Sequence, residues 1–133
     1  MKEGWADDTY VIAFDDDEAL HVTSLYGIEN YLPGHIVVAI VGWDEFIVRN
    51  KTGGLLRVPT IPLVQNYVEK LPSMPDTSRL IASPEHTGRI KWYVKPLIFG
   101  GDPGDASNIE WVDMQSHQKL VQFWNNRYLQ ARQ

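Results

Sequence analysis

Six residues late in the chain, Gly100-Gly101-Asp102-Pro103-Gly104-Asp105, form its densest turn signal. Glycine reaches positive φ, proline fixes φ and lacks a donor, and aspartate bonds its own backbone two residues on, so such a run reverses the chain. Residues 90–99 before it are β-prone (Ile90, Trp92, Tyr93, Val94, Ile98 and Phe99), with Pro96 implying a sheet edge or a bulge. After it comes a short strand over 108–112, then a helix to Arg132 capped by Asp113. In that helix Leu120, Val121, Trp124, Tyr128 and Ala131 recur at three- and four-residue spacing and make one apolar face. Strand, forced reversal, strand and closing amphipathic helix require a sheet for the helix to cover.

The earlier part supplies that sheet. Residues 9–14 (Thr9-Tyr10-Val11-Ile12-Ala13-Phe14) read as a first strand, leaving 1–8 as a loose leading segment. Asp15 to Glu18 provide an N-cap and acids for a first helical turn, where the helix dipole favours negative charge. Ala19, Leu20, Leu25 and Ile28 would line one side of that short helix, with a break near Ser24–Gly27. Residues 35–41 are continuously apolar after His35 and read as a central strand. Gly42-Trp43-Asp44 turns into a strand over 45–49, and Asn50 to Gly54 connects it to a returning strand over 55–58. Residues 63–71 read as a short helix or an extended rim, and 72–83, rich in Pro and Ser, as the loosest part. The expectation is a single α+β domain over 1–133, mostly an antiparallel twisted sheet with a C-terminal amphipathic helix packed on it.

Length and composition agree with one domain: 133 residues, 44% apolar and 22% charged. The absence of cysteine excludes disulfides, thiolate zinc sites and a cysteine nucleophile. The longest apolar run, 36–41, is far short of the ~20 residues of a membrane span. No basic-then-apolar leader opens the chain, so a cytoplasmic protein is expected. Net charge is −5, unevenly spread: residues 1–45 hold ten acids and one base, residues 46–133 eleven bases and seven acids. An acidic third repels nucleic acid and suits either a solvated surface or a face that steers a basic partner.

No motif specifies a reaction. His21, His35, His86 and His117 have no metal-ligand spacing, and neither a Gly-x-Ser-x-Gly elbow nor a phosphate-binding loop is present. Asp102, Asp105 and Asn108 miss the calcium-loop spacing and suit an Asx-stabilised turn. Consecutive Asp15, Asp16 and Asp17 would point in different directions and make a poor metal site. No cofactor or metal is therefore expected. If the fold assembled an enzyme or ligand site from scattered residues, Tyr93, Asp102, Asp105 and His117 would be its candidates. The aromatics Trp92, Tyr93, Phe99, Trp111, Phe123, Trp124 and Tyr128 suffice for most of a small core. Trp43, beside Asp44 and Glu45 at an expected turn, is the aromatic placed for contact.

Three stretches resemble a known family. Tyr26-Gly27-Ile28-Glu29-Asn30-Tyr31-Leu32-Pro33-Gly34, then Gly42 to Val48 with Val58-Pro59, is similar to the central part of the SUKH superfamily. Gly100-Gly101-Asp102-Pro103, Trp111-Val112-Asp113, His117, Leu120-Val121 and Trp124-Asn125 resemble the C-terminal segment of its bacterial members. The resemblance implies an α+β immunity protein, not an enzyme, that binds and neutralises a cognate toxin of a polymorphic toxin system. Because the toxin-facing surface of that family varies with the partner, no contact residue carries over. Charge supplies the expectation instead: Asp15, Asp16, Asp17, Glu18, Trp43, Asp44 and Glu45 would meet a basic toxin such as a nuclease. The chain itself would be a monomer or weak homodimer, with neither nucleic acid nor membrane as partner.

Overall fold

The computed structural model describes residues 1–42 and 45–132. Six strands form one sheet in chain order, each paired antiparallel with the next: β1 (Lys2–Ala6), β2 (Thr9–Ala13), β3 (Ile36–Val41), β4 (Glu45–Arg49), β5 (Leu55–Pro59) and β6 (Glu69–Lys70). Helix α1 (Asp16–Tyr26) joins β2 to β3. A separate antiparallel pair, β7 (Arg89–Tyr93) and β8 (Ile109–Asp113), leads into α2 (Met114–Ala131). This is the expected α+β architecture, with the C-terminal helix on the sheet.

Strand alternation sorts the apolar residues onto two faces. Tyr10, Ile12, Val37, Ile40, Phe46, Val48 and Val58 share a core with Val22 and Tyr26 of α1, Ile90 and Trp92 of β7, and Val121 of α2. Val11, Val38, Ala39, Val41 and Ile47 face the other way, under Leu71, Met74 and Leu80. Val38 is the extra residue of a β-bulge, since Val37 pairs with Val48 and Ala39 with Ile47. The bulge lets Val38 and Ala39 share the second face without displacing Val37 or Ile40 from the first. Burying a large apolar side chain such as those of Phe46, Ile12 or Leu63 contributes about 2 kcal/mol each.

The N-terminus departs from expectation. Residues 1–8 are not loose: β1 pairs with β2 along its whole length and bridges the later segment through Trp5 and Ile81. Trp5 holds it there, its ring 5.2 Å from Tyr10, 5.7 Å from His86 and 6.0 Å from Trp111. His86 and Trp111 lie far away in sequence, so the polar run Lys2-Glu3-Gly4 reads locally as unstructured. The Tyr10 hydroxyl donates to Glu3 at 3.0 Å; burial first, then that carboxylate, pushes the phenol up to about 12.

Both helices are turned relative to the predicted faces. In α1 the buried residues are Ala19, Val22 and Tyr26, while Leu20 and Leu25 point outward. Gly27, at φ 65°, ends the helix where expected and folds Ile28 back into the core. In α2 the buried line is His117, Val121 and Asn125; Leu120 and Trp124 flank it and Ala131 is exposed. Two polar side chains are tolerated inside because they are bonded: His117 Nδ1 lies 2.6 Å from the Tyr26 hydroxyl, and Asn125 makes the three bonds described below.

The strand expected over 90–99 stops at Tyr93. Val94 N–H donates to the Asn108 carbonyl at 2.8 Å, and Pro96, lacking a donor, opens a 3-10 turn over Leu97–Phe99. Residues 63–71 contain a 3-10 turn, Gln65–Tyr67, and then the two-residue β6. No helix among the described residues is long and apolar enough to cross a membrane.

Candidate functional site

Of the seven positions expected to contact a partner, five are described: Asp15, Asp16, Asp17 and Glu18 at the start of α1, and Glu45 at the start of β4. Trp43 and Asp44 lie outside the described residues. Asp15 and Glu18 close a capping box on α1: Asp15 Oδ1 accepts from Glu18 N–H at 2.8 Å, and Glu18 Oε1 accepts from Asp15 N–H at 2.9 Å. The Asp15 N–H, then the N-terminal ammonium, holds the Glu18 carboxyl below the ordinary range. Asp16 and Asp17 are exposed, and Asp16 stands 3.7 Å from the Arg49 guanidinium. Arg49 ends β4 whereas Glu45 begins it. Four residues at about 3.3 Å each put Glu45 on the order of 13 Å along β4 from Arg49, the residue that Asp16 approaches.

Glu45 borders a surface groove. It pairs across the sheet with Pro59, and next to it Arg57 pairs with Glu69. The Arg57 guanidinium donates to Glu69 Oε2 through Nη2 at 2.8 Å and Nε at 3.1 Å. Glu45, Arg57, Val58, Pro59, Tyr67 and Glu69 line a recess of about 260 Å³. Pro59 and Tyr67 also line a second recess of about 210 Å³, completed by Ile61, Pro62, Tyr93, Pro96, Leu97 and Ile98. The two recesses adjoin at Pro59 and Tyr67, which gives the grooved surface an apolar end and a charged end. Burial raises the Glu45 carboxyl above its ordinary value; Arg57 pulls it down, Glu69 pushes it up again, and burial wins. Two carboxylates therefore face one guanidinium at the charged end.

The apolar end continues over exposed side chains: Tyr67 is 41% exposed, Leu97 46% and Ile98 42%. From the Leu97–Phe99 turn it passes through Phe99, 5.0 Å ring to ring from Trp124, to Phe123, 55% exposed and 5.2 Å from Trp124. A contiguous stretch of this kind marks a contact surface more often than scattered apolar residues do.

The groove is braced from beneath. Asn125, 1% exposed, accepts from Leu63 N–H at 2.6 Å and donates to the Thr60 carbonyl at 2.7 Å and the Val121 carbonyl at 2.8 Å. It fastens the 60–63 floor, with its cis Ile61–Pro62 peptide, to α2. Asn108 does the same for the opposite wall, accepting from Lys95 N–H at 2.7 Å and donating to the Lys95 carbonyl at 3.1 Å. Gly101 lies against that wall so closely that an added Cβ would collide with the Lys95 carbonyl oxygen.

The residues named for an alternative enzyme site are dispersed. His117 is fully buried, its ring 5.2 Å from Trp92 and 5.5 Å from Tyr26. Asp102 and Asp105 are exposed and engaged in their own turn, accepting from Gly104 N–H at 2.8 Å and Ser107 N–H at 2.9 Å. The Ser107 hydroxyl bond, then its backbone bond, hold Asp105 below the ordinary carboxylate range. Tyr93 alone of the four lines the groove. Among the described residues no three His, Cys, Asp or Glu gather as metal ligands. Leu97, Ile98 and Phe123 were expected in a strand or a core; the available signals were Pro96, which stops the strand, and the offset of Phe123 from the buried line of α2.

Comparison with protein-family models, with curated proteins and with solved structures gives no match.

Proposed function

We propose that this chain is a non-enzymatic binding protein that neutralises a cognate toxin in the bacterial cytoplasm, and that the groove is its contact surface. The exposed apolar surface running into the Glu45–Arg57–Glu69 end carries the reading. Such a surface combines what a protein interface uses: apolar anchors that exclude water and flanking charges that select and steer the partner. The resemblance to SUKH immunity proteins supplies the class of partner, and the acidic first third suits a basic one, such as a nuclease. Trp43 and Asp44, adjoining Glu45 in sequence, are expected to join the contact. Asp16 and Asp17, at the other end of β4, would act through the longer-range field.

Co-expression with the toxin encoded beside its gene tests the proposal. Growth should be restored, and the two proteins should leave a gel-filtration column as one complex. Continued killing together with separate elution would overturn it.

A further inference from the structure

Resting on that reading, we infer that the groove takes an extended segment of the partner, with a large apolar side chain in the Pro62–Leu97–Ile98 recess and an arginine or lysine one to three residues away against Glu45 and Glu69. Charge complementarity identifies the occupant. Among the described residues Arg57 is the one cation lining the groove, and it is already forked onto Glu69. Glu45, pairing with Pro59 across the sheet, thus presents a partly desolvated carboxylate beside the apolar recess. A partner cation would offset the repulsion between Glu45 and Glu69, whereas a partner carboxylate would add a third negative charge there. Spacing follows from the sheet: cross-strand neighbours stand about 5 Å apart and an extended chain advances about 3.3 Å per residue. One to three residues therefore carry a ligand from the Pro59–Tyr67 wall to the carboxylates.

A displayed library of random dodecapeptides, selected on the full chain and counter-selected on a Leu97→Ser/Ile98→Ser variant, tests this directly. Both leucine and isoleucine are exposed, so the variant should keep its unfolding temperature, which is measured alongside. The expected outcome is a consensus of one large apolar residue followed or preceded by Arg or Lys within three positions. Selected peptides should bind Glu45→Gln/Glu69→Gln at least about tenfold more weakly, the loss of about 1.4 kcal/mol. No enrichment over the counter-selected variant, an acidic or uncharged consensus, or binding indifferent to the glutamine changes would each overturn the inference. The toxin reading stands or falls separately, on growth rescue: enrichment without rescue keeps the groove and removes the toxin, and rescue that survives Leu97→Ser/Ile98→Ser moves the toxin contact elsewhere.

Discussion

Asn125 and Glu45 are the two residues whose surroundings decide most. Asn125→Leu keeps the volume roughly constant but removes the acceptor of the Leu63 N–H and donors to the Thr60 and Val121 carbonyls. Burying such groups with bonds lost costs about 3 kcal/mol, read as a lower urea midpoint at unchanged slope. Glu45 works in the opposite direction. Its folded carboxyl titrates above the ordinary value of 4.5, so the folded state binds the proton more tightly than the unfolded state does. That stabilisation is full below the ordinary value and is lost as pH rises through the raised one. Glu45→Gln should therefore be more stable than the parent at pH 7, by less than about 1 kcal/mol given partial exposure, and the gap should close as pH falls below 4.5. Paired urea titrations at the two pH values check it; a gap that widens on acidification would contradict the desolvation account. Neither role is legible in the sequence. Asn125 sits on an apolar helical face, where a polar side chain reads as outward, and the burial of Glu45 depends on strands that meet it only in the fold.

Elements whose partners are local or strongly patterned were legible. β-Branched runs marked β3 and β4, Asn50 to Gly54 marked their return, and Asp15 and Asp113 marked both helix starts. β1 was missed because, besides its pairing with β2, it is held by Ile81, His86 and Trp111, all distant in sequence, while its own start, Lys2-Glu3-Gly4, is polar. The faces of α1 and α2 were misjudged by about one residue, since period alone does not decide between adjacent apolar stripes. At this scale the caps give a pH-dependent expectation. The Ser116 backbone bond holds the Asp113 carboxyl below its ordinary 3.8. Its stabilisation of α2 is full above that value and disappears as pH falls through the depressed one. Asp113→Ala should lower the unfolding temperature at neutral pH and do so progressively less in acid. Circular dichroism during thermal unfolding reads this; equal costs at both pH values would detach the shift from the cap.

For the whole molecule, charge asymmetry was visible from composition, but the groove was not, because residues 57–69 and 93–98 build it together and their apolar members read individually as core. Separating the two contributions gives a further expectation. If the proposed partner is basic, raising salt from about 50 to 500 mM should lower the association rate at least tenfold while changing dissociation little. Leu97→Ser/Ile98→Ser should instead speed dissociation, with stability retained, because anchors buried in a contact govern residence time. Stopped-flow mixing with the partner distinguishes the two; salt acting only on dissociation would rule out steering. A last consequence follows from Asn125 joining the groove floor to α2. The Leu63 amide cannot exchange its hydrogen with solvent until that bond opens, and the bond is anchored at the helix carbonyl of Val121. Deuterium uptake at Leu63 should keep pace with uptake in the middle of α2, and an occupant of the groove should slow both, so that occupancy is felt on the far side of the wall it touches.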